Sequence, residues 1–212
     1  MSKTPPPPER PQICLITPPD VAAEGVAQRI AALLDAVDVA CLRYAPASAD
    51  PDAVARGADL MREIAHARDV PVVIERHILL VPRHGLDGVH LTDGARSLRA
   101  ARRDLGADAI VGAFCGTTRH EGISAAEAGA DYVAFGPCGE SALGDGRQVA
   151  DDLFGWWSEM IEVPVIAEGA LDPARVAALA PFTDFFAFGP EVWAAPDPLA
   201  ALRARAAAIE RG

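Results

Sequence analysis

The chain has 212 residues, 50% of them hydrophobic, which is enough to bury a large core within one globular domain. A formal net charge of -11 excludes the basic face that a nucleic-acid backbone or an anionic membrane surface would need. The four cysteines, Cys14, Cys41, Cys115 and Cys138, form no CxxC pair or other short ligand spacing, so they read as reduced thiols.

The opening stretch MSKTPPPPERP carries four consecutive prolines and no folding pattern, so residues 1–11 are expected to be a disordered Pro-rich tail and 12–212 a single folded domain. No run approaches the ~18 apolar residues of a membrane span, and the amino terminus lacks the apolar core of a signal peptide. The expected location is cytoplasmic, with no nucleic-acid or membrane partner and a homo-oligomeric state.

From Gln12 onward short apolar strands alternate with longer, Ala-rich amphipathic helices. ICLIT (13–17) precedes a helix expected at 21–36, and VACLRY (39–44) precedes a helix that starts after Asp50 with Pro51 in its first turn. PVVIE (71–75) leads through a short helical connection to GVHL (88–91), and a helix at 97–105 follows. AIVGAF (109–114) precedes a helix closed by Gly129, a C-cap glycine, and YVAFG (132–136) is followed by the loop CGESALGDGR and a helix at 149–160. PVIAEG (164–169) precedes a helix capped by Asp172 with Pro173 behind it, and FFAFG (185–189) precedes the last helix, at 197–210.

These short continuous Val, Ile and Phe runs are what strands buried on both faces of a parallel sheet look like. Eight strand-and-helix units in this length fit an α/β fold of one kind, a single-domain (β/α)8 TIM barrel. The stretches GADYVAFGP and FTDFFAFGP echo each other as an internal half-repeat. No GxGxxG follows the first strand and no GxxxxGK[ST] occurs, so dinucleotide and P-loop readings lack support. In a barrel the chemistry collects beyond the carboxyl ends of the strands, which here brings forward Glu75, Arg76 and His77, then His90, Thr92 and Asp93. Phe154, Trp156 and Trp157 read as a packing face rather than a ligand stack.

The segments LIT on strand one, CLRYA on strand two, DGVHL on strand four, IVGAFC on strand five, GADYVAFGP on strand six and PVIAEGAL on strand seven resemble the thiamine phosphate synthase family and its TenI-type thiazole tautomerase relatives. The similarity runs from about residue 12 to 205 in order and spacing. It implies a transferase of thiamine biosynthesis that joins a hydroxymethylpyrimidine diphosphate to a thiazole phosphate and releases pyrophosphate with Mg²⁺. It also implies a small-molecule phosphate substrate.

Carried over residue by residue, the resemblance puts Arg43 at the family's strand-two arginine, Ala45 at its lysine, and Glu75, Arg76 and His77 at its Asn-Asp-Arg. The two Mg²⁺ ligand positions fall on Arg76 and Ala95. Ser141, Leu143 and Gly144 stand where the phosphate-gripping Thr-x-Thr-Lys loop would be, and Pro137 stands at the tautomerase histidine. The expected catalytic residues are Arg43, Glu75 and His77, and the expected substrate contacts are Arg76, His90, Asp93, Cys115, Ser141 and Glu168. The expected phosphate cup is Gly169, Ala170 and Gly189, with no metal residue assigned. Several cationic and metal positions being replaced, the coupling is expected to be weak. A non-catalytic or regulatory binder of a thiamine-precursor-type phosphate, or a barrel enzyme with altered chemistry, stays open beside it.

Overall fold

The computed structural model describes residues 10–212, so the tail expected at 1–11 lies, apart from Arg10 and Pro11, outside the described residues. The elements in chain order are β1 (Gln12–Ile16), α1 (Val26–Ala36), β2 (Cys41–Tyr44), α2 (Pro51–His66), β3 (Val72–Glu75), α3 (Leu80–His84), β4 (Gly88–Leu91) and α4 (Leu98–Leu105). They continue as β5 (Ile110–Phe114), α5 (Arg119–Glu127), β6 (Tyr132–Phe135), α6 (Asp152–Met160), β7 (Val165–Glu168), α7 (Pro173–Leu179), a 3₁₀ turn (Ala180–Phe182), β8 (Phe185–Phe188), α8 (Pro190–Trp193) and α9 (Pro198–Ile209). The strands pair in sequence order and all in parallel, and β8 closes onto β1, so the fold is a single (β/α)8 barrel.

Several helix starts move from their expected places, each for a local reason. The first helix begins at Val26 rather than 21, because Gly25 at its N-cap holds a left-handed φ of 75°. The sixth begins at Asp152 rather than 149, because the Val149 N–H is bonded to the Pro137 carbonyl and ties that residue to the loop after β6. The short α8, opened by Pro190, is an element the periodicity of so brief a segment does not reveal.

Asp50 and Asp172 cap α2 and α7 by accepting backbone N–H bonds from Asp52 and Arg175. A second aspartate device pins the barrel floor. Asp87, Asp131 and Asp184 each sit immediately before a strand and accept the first or second N–H of the strand before it, from Val72, Val111 and Val165 at 2.7 to 2.8 Å. These carboxylates satisfy donors that burial would otherwise strand.

Register decides which side chains enter the barrel. Cys14 pairs with Cys41, Ile16 with Arg43, Glu75 with His90, His90 with Gly112, Gly112 with Tyr132, and Glu168 with Ala187. Side chains alternate faces along a strand, so all of these point inward. The intervening residues, such as Leu15, Leu42, Val89, Phe135 and Phe188, form the larger apolar layer between sheet and helices. The echo between β6 and β8 follows this rule: Ala134 and Ala187 enter the interior, whereas Phe135 and Phe188 face the helices. Phe154 and Trp157 pack edge-on against Phe135, with ring centroids 6.2 and 5.0 Å away. Trp156 instead stacks under the Arg119 guanidinium at 4.6 Å. Among the described residues no helix is long and apolar enough to cross a membrane.

Candidate functional site

Within the barrel a chain of polar side chains crosses from β7 to β6. The Arg43 side chain is 3% exposed, and its Nη2 donates to Glu168 Oε2 at 2.6 Å, while its Nη1 meets His90 Nε2 at 2.9 Å. Glu75 Oε1 lies 3.4 Å from Arg43 Nε. Guanidinium has donors only, so His90 Nε2 is the acceptor and its proton sits on Nδ1, which then donates to the Tyr132 hydroxyl 3.0 Å away. Tyr132 can lie across the interior because Gly112 faces it: a Cβ there would come within 1.9 Å of the Tyr132 ring.

The charges follow from this geometry. Burial weighs most against the Arg43 cation, and the surrounding groups, Glu168 first and then Cys14, Glu75 and Tyr132, together outweigh it, so the guanidinium is held more firmly protonated than usual. Burial, with Arg43 adding to it, pushes the His90 pKa well below the ordinary histidine value and keeps the ring neutral. Burial also raises Glu75, against the pull of Arg43. One cation thus faces two carboxylates in a closed interior network.

Above this network, beyond the carboxyl ends of the strands, a cavity of about 270 Å³ is lined by Arg43, Glu168, Ile16, Ala187 and the loops after β6, β7 and β8. Cavities of about 350 and 470 Å³ also occur toward the amino ends of the strands, but no part of the polar network opens into them. The carboxyl-end cavity is the one of the three that the polar network opens into, and it lies at the end of the strands where barrel enzymes carry their sites.

Of the expected residues, the fold brings Arg43, Glu75, His90 and Glu168 into direct contact. Ser141, Gly169 and Ala170 line the cavity beside Leu143, Glu140, Pro190 and Glu191. Gly169 has a φ of 86° and a Cβ there would sit 2.9 Å from Pro137 and Leu143, so the tight approach of this loop needs glycine. Ala170, with φ 54°, is a side chain in the region glycine favours. Gly189 is buried, and its N–H is already bonded to Glu191 Oε2 at 3.2 Å, while Glu191 Oε1 is buried without a partner. Pro190 supplies no N–H at all. The anion-facing donors of the expected cup are thus reduced by the chain's own residues.

Seven expected site residues are not among those lining the cavity: Glu75 and His90 belong to the polar network, Gly189 is tied to Glu191, and the others are Arg76, His77, Asp93 and Cys115. His77 follows β3 at a half-buried turn, where burial and then Arg76 lower its pKa, and Arg76 is exposed with a φ of 64°. Asp93 is exposed and accepts from the Ser97 hydroxyl at 2.6 Å. Cys115 falls on the outward parity of β5, within the layer between sheet and helices, and burial pushes its thiol up to about 12. For Cys115 the reason is parity: the strand repeat of two puts it opposite to Phe114. The reading of strands missed Tyr132 and Ile16, which the same count of alternate residues would have found.

The Mg²⁺ that the resemblance implies does not fit these residues. Arg76 is a cation, Ala95 has no donor atom, Glu75 lies against Arg43 and Asp93 is engaged by Ser97. Among the described residues no group of three or more His, Cys, Asp or Glu side chains is placed to hold a metal ion.

The sequence profile of a family described as "Thiamine monophosphate synthase" matches residues 13–187. A thiamine-phosphate synthase of Rhodospirillum centenum is 39% identical over 206 residues, covering 95% of this chain and 98% of that one. A thiamine-phosphate synthase of Erythrobacter litoralis is 37% identical over 204 residues, covering 93% and 95%. Among solved structures, the thiamine phosphate pyrophosphorylase from Pyrococcus furiosus superposes with a TM-score of 0.82 at 18% identity, covering 94% of this chain and 95% of that one. The (S)-3-O-geranylgeranylglyceryl phosphate synthase from Thermoplasma acidophilum reaches 0.70 at 17% identity, covering 96% and 94%. At such identities the structural likeness speaks to the barrel alone.

Proposed function

The chain belongs to the thiamine monophosphate synthase family, and we propose that it acts as a thiamine-phosphate-synthase-type transferase whose coupling of a pyrimidine diphosphate to a thiazole phosphate is slow. The assignment of the reaction rests on relatives that carry this name along nearly their whole length. The substrate site is the carboxyl-end cavity, and Arg43 is its cationic anchor.

The observation that carries the slow rate is the position of Arg43 between Glu168 and Glu75. Departure of a diphosphate builds negative charge, and donors aimed at that charge supply most of the acceleration in such reactions. A guanidinium has five N–H groups. Here one is given to Glu168 and one to His90, and the Nε, 3.4 Å from Glu75, is buried without a hydrogen bond, so two Nη N–H groups are left for a phosphate oxygen at the cavity. Ala45, Leu143 and Pro190 add no side-chain donor or N–H where the resemblance expects them. Removing one such donor costs about 10²–10³ in turnover.

A second reading has support from the same observation: a network closed on itself can hold a phosphorylated thiamine precursor without converting it. Purified protein given both substrates, followed for thiamine phosphate, separates the two. Slow formation, far below the ~1–10³ s⁻¹ of ordinary enzymes, is expected. Product at an ordinary rate overturns the proposed slowness. Saturable binding without product favours the second reading, and neither binding nor product removes the substrate assignment.

A further inference from the structure

Cys14 on β1 and Cys41 on β2 are direct register partners on adjacent parallel strands, and both belong to the inward-facing set. Neighbouring strands lie about 4.8 Å apart, inside the ~4.4–6.8 Å range of Cα separations that a disulfide spans. Each thiol acts on the other: Cys41 is the leading cause that lowers the Cys14 pKa, and Cys14 is the leading cause that raises that of Cys41. Cys14 is buried, and Cys41 is half-buried at the start of its strand. The next inward pair along the same two strands is Ile16 with Arg43, and both of these line the carboxyl-end cavity.

We propose that Cys14 and Cys41 are a reversible dithiol–disulfide pair, oxidised by a hydroperoxide, whose closure resets the position of Arg43. In the first step the Cys14 thiolate attacks the peroxide oxygen and breaks the O–O bond; the hydroxide released takes up the proton that Cys14 lost and leaves as water. In the second, the Cys41 sulfur attacks the Cys14 sulfenic acid, the S–O bond breaks, and the hydroxyl leaves with the Cys41 proton as a second water. Two thiols and one hydrogen peroxide give one disulfide and two waters, with two electrons passing from the sulfurs to the peroxide. Cys115 and Cys138 have no such partner in register, and burial pushes each of their thiols up to about 12. Disulfide Cα atoms most often sit about 5.5–6 Å apart, so closing the bond spreads β1 and β2 at the first inward pair and shifts the second, two residues on, where Arg43 meets Glu168.

The test uses the full chain, reduced and then treated with hydrogen peroxide, followed by peptide mapping and by amide hydrogen exchange. The expected result is loss of two hydrogens per chain, a Cys14–Cys41 linked peptide, changed exchange in the peptide covering residues 41–45, and return of both readouts with dithiothreitol. Cys41→Ser should abolish the linked peptide, whereas Cys115→Ser should retain it. Sulfinic acid at either cysteine, a link involving Cys115 or Cys138, or an unreacted chain overturns the pair. A Cys14–Cys41 link with unchanged exchange over residues 41–45 overturns its control of Arg43. The mapping is made on the unmodified sequence, so its outcome does not depend on whether either variant folds.

Discussion

Arg43 Nη2 and Glu168 Oε2 lie 2.6 Å apart across the barrel interior, from strands β2 and β7, with side-chain exposures of 3% and 2%. A pair so deeply buried persists because each charge has its partner, and removing one partner leaves the other uncompensated. Arg43→Ala is expected to lower stability by about 3–5 kcal/mol. The double variant Arg43→Met with Glu168→Gln should recover part of that loss, since only the more exposed Glu75 then lacks its cation. Urea unfolding of the single and double variants measures both, and a double variant less stable than Arg43→Ala contradicts the argument.

His90 gives the fold an acid limb. Its native pKa lies well below 6.5, through burial and then Arg43, so the unfolded chain binds the extra proton first. Stability contributed by the neutral ring is complete above about 6.5 and declines as pH falls below it, with a slope of up to ~1.36 kcal/mol per pH unit from this one group. Unfolding free energies between pH 7 and pH 5 should show this limb, and His90→Gln should flatten it. An identical slope in the variant would assign the limb elsewhere.

Glu191 already occupies the Gly189 N–H, from which its carboxylate accepts at 3.2 Å. Glu191→Gln removes the negative charge from the cavity wall, and the affinity for inorganic pyrophosphate is expected to rise roughly tenfold, about the size of one charge-assisted hydrogen bond. Calorimetric titration of both proteins checks this, with weaker binding in the variant as the contrary outcome.

Asp184 acts at the other end of the barrel, where its carboxylate accepts the buried Val165 N–H at 2.8 Å. Asp184→Ala strands that donor and should cost ~1–3 kcal/mol of stability. Pyrophosphate affinity should be unchanged, because the amino ends of the strands serve stability and the carboxyl ends serve ligands. A loss of affinity without a loss of stability would reverse that division.

The order of strands and helices was legible in the chain because buried parallel strands and amphipathic helices have different hydrophobic periods, and eight such units close into a barrel. Arg43, Glu75 and Glu168 could be named for the same reason, since they stand at or near strand ends. Their arrangement into one guanidinium between two carboxylates depends on strand register and barrel closure, which join β2, β3 and β7 although 125 residues separate Arg43 from Glu168. The tautomer of His90, the Tyr132 ring over Gly112 and the engagement of the Gly189 N–H by Glu191 arise from contacts between distant segments. Cys115 shows the division most sharply. It stands at the end of a strand, which its sequence position announces, yet the parity of β5 turns its side chain away from the cavity and into the layer between sheet and helices.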